Sequence, residues 1–307
     1  MVAWKKAMMA SAGGAGEIGV FFGQADATTN VIQYIEISST GNAVDWGDLL
    51  TANRSMGAFG NAERGVAFGG HNGSSFGTNV IQYITFSSAG NAIDFGDLIE
   101  AYGSSGNISK AGTASDTRGM IMGGQNSNTI AYVTIASTGN ATDFGDFATT
   151  QRSAGGAGSN GTRAVFGGEN VACEYVTIAT TGNATNFGDL TLARNQMSAG
   201  CSETRVVWMG GSESPYNTID YVTTASTGNA VDFGDLYSAA FENGACSSKT
   251  RAICAHGFQP YDGVSAGFRD IMSYVEIATT GNSVDFGDLL ATGSKRAGAS
   301  NCHGGLS

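Results

Sequence analysis

The sequence predicts an all-β protein: a six-bladed β-propeller of four-stranded antiparallel blades, closed by its terminal strands. Three observations predict it. A ten-residue phrase, Thr40-Gly41-Asn42-Ala43-Val44-Asp45-Trp46-Gly47-Asp48-Leu49 in its first copy, recurs six times, with anchors at Gly41, Gly90, Gly139, Gly182, Gly228 and Gly281. The anchors stand 49, 49, 43, 46 and 53 residues apart, a period that belongs to propeller blades or solenoid arrays. Each period holds four short apolar runs, bounded by Gly, Asn, Ser and Thr, and no window carries a helical apolar stripe for three turns.

The unit from Ser198 to Leu236 shows the four elements in order. Ser198-Ala199-Gly200-Cys201-Ser202 is small and smooth, as an innermost strand must be where blades crowd the axis. Arg205-Val206-Val207-Trp208-Met209 is an apolar strand that ends at Gly210-Gly211. Ile219-Asp220-Tyr221-Val222-Thr223-Thr224-Ala225 alternates, and Asn229-Ala230-Val231-Asp232-Phe233-Gly234-Asp235-Leu236 completes the unit. Its large residues, Trp208, Tyr221 and Phe233, belong further out, where the radial wedge widens.

The chain ends predict the closure. Ser11-Ala12-Gly13-Gly14-Ala15-Gly16 repeats Ser153-Ala154-Gly155-Gly156-Ala157-Gly158, and Arg296-Ala297-Gly298-Ala299-Ser300-Asn301 is also a first-strand sequence. Seven first-strand segments therefore serve six blades, and one terminal copy completes the blade shared by the two ends. A propeller accounts for the matched ends better than a solenoid, which needs capping units. Residues 1–307 are read as a single domain.

Composition excludes several classes. Gly is 47 of 307 residues and Pro is 2, which opposes helical bundles and, without a Gly-X-Y period, collagen. The net charge is −11, from 26 acids and 15 bases, so no nucleic-acid partner is expected. No apolar stretch reaches the ~18 residues of a membrane span, so no membrane insertion is expected. Met1-Val2-Ala3-Trp4-Lys5-Lys6 turns Gly-rich too soon for a signal peptide. Cys173, Cys201, Cys246, Cys254 and Cys302 are odd in number and confined to the second half, so they read as buried free thiols of a reducing compartment.

The repeat resembles the kelch family. An Arg before the first strand, a second strand ending in Gly-Gly, then a Tyr, then an aromatic residue match Arg194, Gly210-Gly211, Tyr221 and Phe233. Gly69-Gly70, Gly123-Gly124 and Gly167-Gly168 continue the pattern, while Gly23-Gln24 and His256-Gly257 depart from it. More narrowly, the tandem phrase from Ala136 to Asp146 and the ending His303-Gly304-Gly305-Leu306 look like tandem-repeat virion and tail-associated proteins of marine tailed bacteriophages. That resemblance implies a virion location after synthesis in the host cytoplasm. It also implies many copies per particle, and partners among other virion proteins or a host surface glycan or receptor.

The chemistry-bearing residues read as structural. Asp-Phe-Gly or Asp-Trp-Gly occurs at Asp45, Asp94, Asp143, Asp232 and Asp285, with Asn186 in the remaining copy; a kinase needs one copy, so a repeated turn is expected. The acids paired with these, such as Asp48 and Asp97, are too few per blade for Ca²⁺. Arg64, Arg118, Arg163, Arg205 and Arg251 open the second strands, with Gly19 in the first unit, and read as a repeated pairing with an acid or a turn carbonyl. Cys254 and His256 at i, i+2 are half a metal site, which Cys302-His303 would have to complete. No metal, cofactor or catalytic set is expected.

Recognition is expected in the loops between second and third strands: His71–Asn79, Gln125–Thr129, Ser212–Thr218 and Phe258–Asp270. They vary most, and they are expected to share one face with the blade-to-blade links. Phe76, Pro215, Tyr216, Phe258, Tyr261, Phe268 and Arg269 are the candidate anchors, since aromatic and Arg residues dominate binding hot spots. The functional expectation is a non-enzymatic virion structural protein. The alternative is a glycan-directed hydrolase with paired carboxylates in the central funnel.

Overall fold

Six antiparallel blades of four strands, the sixth with the two-residue strand Phe258–Gln259 added to its sheet, surround a common axis in the computed structural model, which describes residues 16–24, 29–72, 77–100, 111–123, 127–151, 155–260 and 265–307. The described residues contain no helix. Blade 1 joins the two ends of the chain: its innermost strand Ala297–Ser300 pairs with Ile18–Phe22, followed by Thr29–Glu36 and Val44–Asn53. Blade 2 runs outward as Gly57–Gly60, Arg64–Phe68, Val80–Thr85 and Ile93–Asp97, and blade 3 as Ala111–Ala114, Arg118–Met122, Ser127–Thr134 and Thr142–Gln151. Blade 4 is Gly156–Ser159, Arg163–Gly168, Asn170–Thr177 and Thr185–Asp189. Blade 5 is Ser198–Cys201, Arg205–Met209, Thr218–Thr223 and Val231–Asp235, and blade 6 is Gly244–Ser247, Arg251–Ala255, Gly267–Glu276 and Val284–Gly293.

The C-terminal first-strand copy thus closes the ring, in register Gly19↔Ser300 to Phe22↔Ala297. The competing N-terminal copy, Ser11 to Ala15, lies outside the described residues. Small side chains do line the axis, because six first strands must touch their neighbours there: a Cβ on Gly112 or Gly298 would strike the backbone of Ala58 or Ala245 in the adjacent blade. The larger residues fill six wedges between blades, such as the cluster of Trp46, Phe86, Ile84 and Phe22. Trp208 is wholly buried between blades 5 and 4, and its Nε1 donates to Gly156 O at 3.0 Å.

The repeated phrase is the joint between blades. Its Gly-Asn-Ala part, at the turn from third to fourth strand, docks on the fourth strand of the preceding blade. Asn140 Oδ1 accepts from Asp97 N at 3.0 Å, Gly139 N donates to Phe95 O at 2.7 Å and Ala141 N donates to Asp97 O at 2.8 Å. The Asn-to-Asp bond recurs at all six joints, including Asn42 with Asp288 across the closure. The Gly after each aromatic leaves room for this approach. A Cβ on Gly47, Gly96, Gly145, Gly188, Gly234 or Gly287 would fall inside 3.0 Å of the carbonyl of the next blade's anchor Gly.

The Asp-Phe-Gly segments are therefore strand rather than the expected turn. Each contains a β-bulge: Gln82 pairs with Asp94 and Ile81 with Gly96, so Phe95 is the extra residue. The bulge aims the aromatic inward, where it meets the third-strand Tyr edge-on, as in Tyr83–Phe95 at 5.8 Å and 86°. The second-strand Arg completes the stack. Arg205 lies 4.4 Å from the Tyr221 ring centroid and donates to Ile277 O and Ala278 O, in the next blade, at 2.8 and 3.0 Å. Arg64, Arg118, Arg163 and Arg251 do the same, each bonding turn carbonyls of the following blade.

Gly188 and Gly228 separate close approach from mere glycine content. Gly188→Ala places a methyl against Gly228 O, whereas a Cβ on Gly228 meets nothing within 4 Å. Urea unfolding is expected to show Gly188→Ala destabilised by about 2–4 kcal/mol and Gly228→Ala changed by less than about 0.5 kcal/mol.

Candidate functional site

The two ends of the axial channel differ. At one end the residues after the closing strand form a plug. His303 Nε2 donates to Gly60 O at 2.8 Å, and its Nδ1 accepts from Gly305 N at 3.0 Å, which sets a neutral tautomer. Gly304 N donates to Cys201 O at 3.1 Å, and Ser307 N donates to Asp116 Oδ1 at 3.2 Å. A Cβ on Gly304 or Gly305 would overlap Ser202 or Ala114 and Ser159. The ending reaches blades 2, 3, 4 and 5 and stops that end of the channel.

The other end is an open funnel, on the face that carries the blade-to-blade links and the variable loops. Both share that face as expected: Arg54 pairs with His71, Phe241 with Phe258, and Ser212 N donates to Asn195 O at 2.9 Å. Two residues before the innermost strand, Ser55, Gln196, Glu242 and Lys295 hold φ of 55° to 58°, a left-handed conformation uncommon for side-chain-bearing residues. Their backbones form a rim of hydrogen bonds from blade to blade: Ser55 N to Lys295 O at 3.0 Å, Lys295 N to Glu242 O at 2.9 Å and Glu242 N to Gln196 O at 2.9 Å. Lys295 Nζ lies 3.1 Å from Glu242 Oε1, and Ser294 Oγ donates to Glu242 Oε2 at 2.6 Å. Below the rim, the funnel is lined by Met56, Met197, Ser198, Asn243 and small first-strand residues.

Beside the rim, over blades 5 and 6, runs a row of aromatic rings. Tyr216 meets Phe241 at 6.2 Å, Phe241 meets Phe258 at 5.3 Å, and Phe258 meets Phe268 edge-on at 5.3 Å and 83°. Tyr216, Phe258 and Phe268 were expected as anchors, and the fold brings them together, each only partly buried. Pro215 is exposed next to Tyr216. Arg269 does not project as an anchor: its Nε donates to Gln259 Oε1 and its Nη2 to Ser265 O, both at 2.5 Å. The Phe258–Asp270 loop is partly a hairpin, with Phe258 opposite Phe268 and the third strand starting at Gly267, so Arg269 is used to hold it. Phe76 and Tyr261 lie outside the described residues. Sequence reasoning missed Phe241, Glu242 and Lys295, which sit in links that repeat no phrase.

Polar groups elsewhere are committed to structure. Asp220 and Arg194 form a fully buried pair at 2.5 Å, and Arg194 Nε also donates to Gly210 O at 2.7 Å. Asp220 Oδ2 also accepts from Thr191 N of the preceding blade at 3.1 Å. Buried Arg296 donates to Gly293 O, Ala291 O and Gln24 Oε1, and burial lowers its pKa to about 10. The five cysteines are unpaired thiols, and burial pushes Cys254 up to about 12. Among the described residues no three His, Cys, Asp or Glu side chains group as metal ligands. Cys254 and His256 do not begin such a site: His256 bonds Ser273 Oγ through Nε2 at 2.7 Å and Ser238 Oγ through Nδ1 at 3.1 Å. The molecule is thus a closed six-bladed propeller, plugged at one end and carrying an aromatic, charged mouth at the other. No protein-family model and no curated protein matches the chain.

His256 gives the fold a pH dependence. Burial holds its pKa at about 4, against 6.5 for an ordinary imidazole, so the unfolded chain takes up a proton that the folded chain refuses. The stabilisation is complete above pH 6.5 and is lost as pH falls towards 4, by at most about 3 kcal/mol. Urea midpoints of wild type and His256→Gln, followed from pH 7 to pH 4, are expected to converge as pH falls.

Proposed function

We propose that the protein is a non-enzymatic structural component of a bacteriophage virion. In this reading it is a kelch-type propeller on the tail, a fibre or the capsid surface, present in many copies, and its loop face binds another virion protein or a host surface glycan or receptor. The observation that carries the reading is the aromatic row Tyr216–Phe241–Phe258–Phe268 on the variable face. Partly exposed aromatic rings on a rigid scaffold supply contact area at low entropic cost. The phage-like phrase and ending support the virion assignment.

Use of the repeated groups supports a non-enzymatic role. The Asn and Gly that recur in every blade hold the joints, and so do the Arg of five blades and the backbone of the second Asp in each phrase. Among the described residues lining the funnel, Glu242 is the one carboxylate, where the alternative hydrolase needs a pair about 5–10 Å apart.

Proteomics of purified particles, with gold-labelled antibody imaging, tests the reading. Labelling at the tail or a vertex is expected, and clear absence from particles overturns it. Phage carrying Phe258→Ala and Phe268→Ala are expected to incorporate the protein normally but to adsorb at least about tenfold more slowly, as for lost hot-spot residues.

A further inference from the structure

Among the described residues, blade 6 carries the one addition to the four-strand plan, the two-residue strand Phe258–Gln259 that pairs with Phe268 and Gly267. The link entering the same blade supplies Phe241, where the corresponding residues of three other links are Arg54, Asn195 and Ser294. The rings of Phe241, Phe258 and Phe268 line a cleft of about 510 Å³ together with Glu242, Ser294 and two cations. We propose that this cleft binds a neutral saccharide, with one hexopyranose ring on the Phe side chains and its hydroxyls on Glu242. The inference rests on the recognition reading above and names its ligand class.

The cleft selects against three other kinds of occupant. An anion finds no unpaired cation among the described lining residues: Lys295 Nζ lies 3.1 Å from Glu242 Oε1, and Arg54 is also engaged. An added strand finds no open edge at the aromatic wall. Phe241 N donates to Phe258 O at 3.0 Å and Phe258 N to Phe241 O at 2.8 Å, while the amides of Ser55, Glu242 and Lys295 already donate along the rim. A wholly apolar ligand would strip water from the Glu242 carboxylate and return no hydrogen bond.

A neutral pyranose meets all three conditions. Its flat C–H face suits an aromatic surface, and its hydroxyls carry no charge that needs a counter-ion. Phe258 lies 5.3 Å from both Phe241 and Phe268, and it meets Phe268 at 83°. The three rings therefore make a continuous wall rather than a single isolated side chain. Glu242 accepts from Lys295 on Oε1 and from Ser294 on Oε2. These bonds use two of the roughly four acceptor positions of a carboxylate, and they fix the group before a ligand arrives. Its side chain keeps 13% of its surface open, so the remaining positions can be reached by sugar hydroxyls.

Saturation-transfer NMR and calorimetry on the full chain test the proposal. The neutral probes are the linear trisaccharides of glucose, galactose and mannose, and trigalacturonate is the charged comparison. At least one neutral probe is expected to bind with a Kd below about 10 mM and more tightly than trigalacturonate. It is expected to take up saturation on its ring C–H protons and to keep its affinity in about 0.5 M salt. Phe268→Leu, which keeps apolar bulk but removes the ring, and Glu242→Gln are each expected to weaken it about tenfold. If Glu242→Gln disrupts the rim and fails to fold, Phe268→Leu decides.

No binding of any neutral probe at about 10 mM by folded protein overturns the proposal. So does equal or tighter binding of trigalacturonate, or undiminished binding by folded Phe268→Leu. Labelled particles without saccharide binding overturn the ligand class and leave the virion reading in place. Saccharide binding without labelled particles does the reverse.

Discussion

Each Gly-Asn-Ala turn sits on the bulged fourth strand of the preceding blade, and the ring depends on that contact. A four-stranded blade has two open edges, and its wedge of apolar side chains is covered only when a neighbour lies beside it. The joint brings that neighbour to a fixed distance. The Asn side chain supplies the acceptor for the outer strand's Asp N–H, the two backbone bonds flank it, and the paired glycines bring the main chains together. From the other side of the blade, an Arg stacked on Tyr reaches the same turn. Six copies close on themselves, so the Asn42–Asp288 joint across the chain ends matches the five internal ones.

This explains why the fold was legible in the sequence. Each residue of the phrase answers a requirement that recurs six times, so the requirement appears as a repeat. The Gly beside each aromatic is needed for close approach, the aromatic for the bulge, and the small first strands for crowding at the axis. The meaning of Asp-Phe-Gly was less legible, because Gly and Asp mark turns as readily as bulges. Only the pairing of Gln82 with Asp94, and Ile81 with Gly96, distinguishes the two. The choice between terminal first strands was open for a similar reason, since both copies have the composition that an inner strand needs.

The candidate site was legible in part. Tyr216, Phe258 and Phe268 stood out as large residues in small-residue loops, and they do converge. Phe241, Glu242 and Lys295 did not stand out, because their importance comes from blade geometry. The links place Ser55, Gln196, Glu242 and Lys295, each two residues before an innermost strand, on the funnel rim, and the left-handed backbone there joins neighbouring links by hydrogen bonds. Arg269 shows the opposite case: its residue type suggests an anchor, and its partners show it spent on its own hairpin. The repeat that stabilises the disc does not extend to the loops between second and third strands, which differ in length and sequence from blade to blade.

Amide hydrogen exchange read residue by residue tests the equivalence of the six joints most directly. Ala43, Ala92, Ala141, Ala184, Ala230 and Ser283 each donate to the preceding blade, at 2.7 to 2.8 Å. In a ring closed by six like joints, these amides exchange with similar protection, and Ala43 at the closure is as slow as the rest. Exchange at Ala43 that is orders of magnitude faster than at the other five would show an open ring and contradict the account.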